Sequence, residues 1–153
     1  VSNFSSRQLT ELLSDCTIPP VANEVEMHPL LQQPRLFDYC KDHKIQIIVY
    51  SPLGKIGYRD PKDPNMFEIP KILKIAEETG RTPAQVVLAW GVQRGAFAIP
   101  KSLTPKRILS NFDVQDDFLT KEQMNTLNGF DQGYRYVRVP CYNFPDDAVD
   151  IRV

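Results

Sequence analysis

The sequence predicts an α/β fold in which parallel strands alternate with helices. Three observations point to it: apolar periodicity switches between the helical and the strand repeat in the order α-β-α-β-α-α-β-α-α; residues 45–50 form a near-continuous apolar run; and helix starts carry capping chemistry. Strands alternating with helices imply right-handed crossovers between parallel neighbours. Three such strands cannot bury both faces and both edges of a sheet, whereas a closed barrel needs about eight. The remaining strands are expected before Val1, because the polar residues directly after it are of the kind that end a strand.

Ser5 and Gln8 have the form of a capping box, Phe4 can staple onto Leu9, and Leu9, Leu12 and Leu13 then make an apolar stripe in a helix ending near Asp15, ahead of Pro19 and Pro20. Residues 21–26 alternate apolar and polar and are expected as a strand. A loop at His28 and Pro29 leads to a helix over about 33–42 that buries Leu36, Phe37 and Cys40. The run at 45–50 suits a parallel strand covered on both faces. Residues 51–65 hold three Pro and two Gly among charged residues, which predicts a long excursion, and loops of that length usually have a function.

Pro70 opens a helix burying Ile72, Leu73 and Ala76, with Gly80 where a left-handed terminal residue is wanted. Thr82 and Gln85 form a second capping box, with Pro83 at the first helical position and Val86, Leu88, Trp90 and Val92 along the helix; Trp90 is expected in the core. Residues 96–99 are a short buried strand that ends at Pro100. Thr104 then caps a helix beginning at Pro105, and Thr120 with Gln123 caps one more, stopped by Gly129. Beyond Asp131 the periodicity dissolves into an aromatic, Pro-bearing tail containing Tyr134, Tyr136, Tyr142 and Phe144.

At 153 residues, 42% apolar and 24% charged, the chain suits one soluble globular domain. A net charge of −1 gives no broad field for nucleic acid or an anionic membrane, so neither is an expected partner and a small ligand is. No apolar run approaches the roughly 20 residues that span a bilayer and no signal peptide is legible, which predicts a cytoplasmic protein. Cys16, Cys40 and Cys141 are widely separated and lack zinc or disulfide spacing, so no metal site is expected.

The strongest local signal is the corner formed by residues 99–107, a strand end running straight into a capped helix. Free backbone N–H groups and the positive end of the helix dipole attract an anion, Lys101 adds a point charge, and Arg107 can form a bidentate fork. The alternative is that Thr104 only caps and the basic residues are solvated. Polar or aromatic residues recur at strand ends, in Ser2-Asn3, Asn23-Glu24, Tyr50-Ser51 and Lys101-Ser102. In a barrel of alternating strands and helices these share the C-terminal rim, where function resides. Tyr50 there offers a flat face for a planar ring. His28 and His43 fall on different elements, and His28 is read as a loop hydrogen-bonder rather than a base. No paired carboxylates, Ser-His-Asp set or Gly-rich phosphate loop can be argued, so no catalytic residue is assigned.

Four segments, Val1-Ser2-Asn3-Phe4, Asn23-Glu24-Val25-Glu26-Met27-His28-Pro29, Tyr50-Ser51-Pro52-Leu53-Gly54 and Ile99-Pro100-Lys101-Ser102, occur in the order and spacing of the aldo-keto reductases, which the chain resembles over about residues 1–130. The resemblance implies a (β/α)8 TIM barrel present as its C-terminal half, from the end of strand five onward, with 1–153 a partial NADP-dependent oxidoreductase domain and 131–153 its substrate-loop tail. It implies NADP(H) as cofactor: Ser2, Asn3 and Glu24 at the nicotinamide carboxamide, Tyr50 stacked on the ring, Ser51 and Leu53 along the pyrophosphate, Lys101, Ser102 and Arg107 on the 2′-phosphate, Thr104 beside it and Asn111 toward the adenine. The usual Gln beside the carboxamide is Glu24 here, whose charge favours the oxidised ring. Ser110 stands where many relatives carry an acid near the adenine.

The substrate class implied is a carbonyl compound or its alcohol. The family's catalytic Asp, Tyr, Lys and His all come from the first half of the barrel, so this chain alone is expected to be inactive, with an N-terminal half-barrel as a possible partner. A nucleotide-binding or interaction protein without catalysis is the alternative reading.

Overall fold

A computed structural model describes residues 1–54, 60–114 and 117–138 of the chain. Part of the predicted excursion, Cys141, and the tail residues Tyr142 and Phe144 lie outside the described residues. The elements follow the predicted order: α1 (Ser6–Asp15), β1 (Ala22–Glu26), α2 (Pro34–Asp42), β2 (Gln46–Tyr50), α3 (Pro70–Thr79), α4 (Pro83–Gln93), β3 (Phe97–Ala98), α5 (Pro105–Phe112) and α6 (Lys121–Asn128), with a 3₁₀ turn at Met66–Glu68 before α3. No regular element is formed over residues 131–138.

Three capping boxes start helices as their sequences require. The side chains of Ser5, Thr82 and Thr120 accept from the backbone N–H of Gln8, Gln85 and Gln123, whose own side chains bond back to the caps. At the far end of α3, Gly80 takes the left-handed conformation, φ +65°, that releases the chain from the helix. Gly129 ends α6 differently, remaining right-handed at φ −76°.

The strands form one parallel sheet in the order β1-β2-β3. Residues ahead of α1 extend it: the Asn3 N–H donates to Glu24 O at 2.9 Å, the Glu24 N–H to Val1 O at 3.0 Å, and Ser2 pairs in parallel with Glu24. The register sets Asn23 beside Ile47 and Val25 beside Val49 on one face, and Glu24 beside Ile48 and Glu26 beside Tyr50 on the other, since side chains alternate along each strand.

The first face is covered by the helices. Val25, Ile47 and Val49 are buried there with Leu36 and Cys40 of α2 and Val86, Leu88, Ala89 and Trp90 of α4. Trp90 is in the core as expected, its indole N–H donating to Asn128 Oδ1 at 2.8 Å and so joining α4 to α6. Arg94 closes the layer: its guanidinium lies 4.5 Å from the Phe37 ring centroid and 4.6 Å from that of Trp90, and burial lowers its pKa.

Several expectations are corrected. The 45–50 strand is not covered on both faces: Ile48 and Tyr50 are only half-buried, because residues 135–137 lie over the Glu26 end of that side but no layer of helices covers it among the described residues. The short strand at 96–99 is buried only at Ala96, with Ala98 half-buried. It pairs over two residues alone, leaving Phe97 62% and Ile99 50% exposed, since Phe97 pairs with Ile48 on the same uncovered face. Leu73 is 45% exposed, and Ile75 takes the buried position instead; Phe37 is partly buried under Arg94. Leu12 and Leu13 are half-buried, leaving Leu9 as the buried residue of α1.

Thr104 does not cap α5 with its side chain. Ser102 stands in front of it, its Oγ accepting from the Thr104 N–H at 3.2 Å, which turns the chain before the helix begins.

Candidate functional site

Parallel pairing sends the C-terminal ends of β1, β2 and β3 to one edge of the sheet, and the candidate residues gather there as two clusters. The first is built on Tyr50, the last residue of β2. Its hydroxyl donates to Asn3 Oδ1 at 2.9 Å, Asn3 Nδ2 donates to Ser2 Oγ at 3.2 Å, and Ser2 Oγ donates to the Glu24 carbonyl at 3.1 Å. Ser2, Asn3, Glu24 and Tyr50 therefore form one hydrogen-bonded chain across three neighbouring strand positions. Burial, and next the charge of Glu26, raise the Tyr50 pKa, so the phenol stays protonated and is held as a donor.

The backbone at this edge is unusual. Asn3, at φ 57°, and Ser51, at φ 48°, both occupy the left-handed region that non-glycine residues rarely adopt. The turn after Tyr50 is closed by the Gly54 N–H donating to Ser51 O at 2.9 Å, which sets Leu53 partly buried against the core. Gly54 is needed there: it has φ +69°, and a Cβ would meet the Tyr136 ring at 3.0 Å.

The second cluster follows β3. The Ile99 N–H donates to Val49 O at 3.0 Å, so Lys101 and Ser102 emerge beside the Tyr50 turn. With Asn111 of α5 they line a groove of about 850 Å³ whose walls are otherwise apolar, including Leu88, Phe97 and Phe112. Thr104 and Arg107 sit outside the groove lining, exposed at the start of α5, where the first turn presents its N–H groups. A ligand with an apolar planar part and an anionic part matches a groove of this composition.

One expected rim position is not at the rim. Asn23 and Glu24 lie two or more residues before the end of β1, and Asn23 is wholly buried on the helix face, where its side chain bonds the Phe4 N–H at 3.3 Å and the Phe4 carbonyl at 2.8 Å. Glu24 joins the site through its carbonyl's bond to Ser2. The residue level with Tyr50 is Glu26, which was not singled out from sequence. Alternation would have found it, since it shares a strand face with Glu24.

Glu26 is fully buried and takes hydrogen bonds from the backbone N–H of Tyr136 at 2.7 Å and of Val137 at 3.2 Å, with Arg135 Nη1 at 3.5 Å. His28 is a buried hydrogen-bonder, as read. Its Nε2 lies 3.1 Å from Glu26 Oε1, and because a carboxylate can only accept, Nε2 carries the hydrogen. Its Nδ1 then has no hydrogen-bond partner among the described residues, and its ring meets Tyr136 edge-on at 4.9 Å.

Among the described residues no group of three or more His, Cys, Asp or Glu is placed to hold a metal, and no helix is long and apolar enough to cross a membrane. Burial pushes the Cys40 thiol up to about 11, so it behaves as a core residue rather than a nucleophile.

The Aldo/keto reductase family model matches residues 1–132. Over 139 residues the chain is 42% identical to Aldo-keto reductase family 1 member A1 of Homo sapiens, covering 90% of this chain and 43% of that protein. The same protein of Rattus norvegicus is also 42% identical over 139 residues, with 90% of this chain and 43% of the relative covered. That of Xenopus tropicalis is 41% identical over 139 residues, with 90% and 42% covered. The chain thus spans less than half the length of the curated relatives it matches.

Proposed function

The chain belongs to the aldo/keto reductase family, and on that premise we propose that it is the C-terminal, cofactor-binding half of an NADP(H)-dependent carbonyl reductase. In this reading residues 1–153 are part of one (β/α)8 barrel in a cytoplasmic enzyme, entered at the end of its fifth strand, with 131–153 contributing to the substrate side. The half-covered face of β2 and the exposed Phe97 are then lumen and edge positions that the rest of the barrel would cover.

The observation that carries the reading is the adjacency of the two clusters: a protonated, hydrogen-bonded Tyr50 on one strand end and a basic corner with an apolar groove on the next. Tyr50 would stack on the nicotinamide, with Ser2, Asn3 and Glu24 beside its carboxamide and Ser51 and Leu53 along the pyrophosphate. Lys101, Ser102 and Arg107 would clamp the 2′-phosphate, with Thr104 near it and Asn111 toward the adenine.

The residues fit such a ligand. Asn3 Nδ2 has a second hydrogen beyond the one given to Ser2, Lys101 and Arg107 are exposed, and the groove offers apolar walls for a base. When bound, the dinucleotide supplies the hydride. The chain's own residues orient it, and an aldehyde or ketone is the substrate class. Within these 153 residues the reading assigns no catalytic residue.

Titration of the full-length protein with NADPH and NADH by calorimetry tests this. Two charge-assisted hydrogen bonds to the extra phosphate predict NADPH binding tighter by about 100-fold. Equal affinities would contradict the assignment of the Lys101 corner.

A further inference from the structure

A fully buried and well-bonded charge is on a residue the cofactor reading does not use. Glu26 ends β1, level with Tyr50, and has no exposed surface. A buried carboxylate is strongly destabilising unless donors surround it. Besides His28 Nε2, its donors come from the chain's far end: the N–H groups of Tyr136 and Val137, and Arg135, whose side chain is only 13% exposed. These contacts span about 110 residues of sequence.

Because Arg135 is held on Glu26, the register partner of Tyr50, its guanidinium lies beside the Tyr50 hydroxyl and acts on it by charge and hydrogen bonding. That hydroxyl gives its hydrogen to Asn3 Oδ1, so its oxygen is left to accept from the guanidinium. Tyr50 is therefore fixed from both sides, by Asn3 from the first residues of the chain and by Arg135 from its C-terminal part. The segment bearing Arg135 is itself clamped to the turns that follow β2: the Tyr136 hydroxyl donates to Pro64 O at 2.7 Å, the Tyr136 ring sits against Gly54, and Tyr134 and Arg138 both bond Asp63.

We infer that Arg135 is a positioning residue for the redox ring of the dinucleotide, acting through Tyr50 and anchored by Glu26. The inference rests on the cofactor reading above. A ring stacked on a tyrosine follows the tilt of that tyrosine, and hydride transfer tolerates little misplacement, since about 1 Å can cost on the order of 100-fold in rate. Asn3 alone restrains the phenol along one direction. Arg135, braced against a buried carboxylate and carried on a segment tied to the same carboxylate by two backbone N–H groups, supplies the second restraint. The C-terminal segment thereby sets the geometry of the cofactor platform as well as standing near the substrate side.

The test separates the two ends of the dinucleotide. In the full-length protein, Arg135→Met is compared with wild type for binding of NADPH and of adenosine 2′,5′-bisphosphate, which carries the 2′-phosphate end and no nicotinamide. Arg135→Met is expected to weaken NADPH roughly tenfold and to lower kcat, with the bisphosphate changed less than about twofold. Arg135→Lys, which keeps the charge beside Glu26 but lacks the guanidinium fork, is expected to lose roughly threefold on NADPH and carries the same comparison if the Met variant does not fold. Equal losses on both ligands, or unchanged NADPH binding and kcat, overturn the inference while leaving the cofactor reading intact. A wild-type protein that binds neither ligand brings down the cofactor reading and this inference together.

Discussion

Purified as residues 1–153 alone, the chain is expected to catalyse no carbonyl-dependent oxidation of NADPH. A developing alkoxide needs a proton at the moment of hydride transfer, and a tyrosine provides one near neutral pH only when its neighbours lower its pKa. Here the shifts run the other way. Tyr50 is raised by burial and by the charge of Glu26, and Tyr134 is raised by burial and its bond to Asp63.

The remaining described tyrosines are committed elsewhere. The Tyr39 hydroxyl is bonded to Thr10 at 2.8 Å and its ring stacks on His43 at 4.0 Å, and Tyr136 donates to Pro64. General acid catalysis is worth on the order of 10²–10⁴-fold, and in the proposed barrel the loss of hydride geometry set by its other half would compound it. Turnover is therefore expected below detection in a steady-state assay at 340 nm. Carbonyl-dependent oxidation that copurifies with the chain through successive columns would contradict this and would mean that a proton donor resides within these residues.

In the full-length protein, Lys101→Ala combined with Arg107→Ala is expected to weaken NADPH by about 100-fold and NADH by less than about threefold. Both side chains are exposed beside the start of α5, so their removal leaves no buried charge unpaired and should cost little stability. The losses differ because only NADPH bears the phosphate they would grip. Parallel dissociation constants and thermal unfolding curves check it. Equal losses for the two nucleotides, accompanied by a lowered melting temperature, would show instead that the corner supports the fold.

What could be read from the sequence was what is local. The capping boxes at Ser5, Thr82 and Thr120 are each closed within three residues, so their chemistry survives any tertiary arrangement. Thr104 has the same residue type but no partner at the third helical position: Arg107 stands where a Gln or Glu would answer, and Ser102 intervenes. The run at 96–99 is as apolar as a buried strand, yet apolarity states what a residue needs in the finished fold and not which neighbour provides it. Phe97 is exposed because residues 135–137 cover that face only at Glu26, and nothing among the described residues reaches as far as Phe97.

For the candidate site, the gathering of Ser2, Asn3, Tyr50, Lys101 and Ser102 was legible because polar residues at the ends of parallel strands lie at one end of the sheet. Asn23 was misplaced by reading strand ends without register, and a shift of one residue exchanges the two faces of a sheet. Glu26 and Arg135 were missed because their contact depends on a segment with no periodicity lying over a strand end about 110 residues earlier. No sequence pattern announces such a pair, although an acid among the apolar residues of a buried strand is a reason to look for its donors.

A crystal structure of the full-length protein with NADP⁺ tests the central claim most directly. The nicotinamide is expected parallel to the Tyr50 ring at about 3.5–4 Å, with the 2′-phosphate between Lys101 and Arg107. A dinucleotide bound with its ends reversed, or one that touches Tyr50 but leaves the Lys101 corner to solvent, would contradict it.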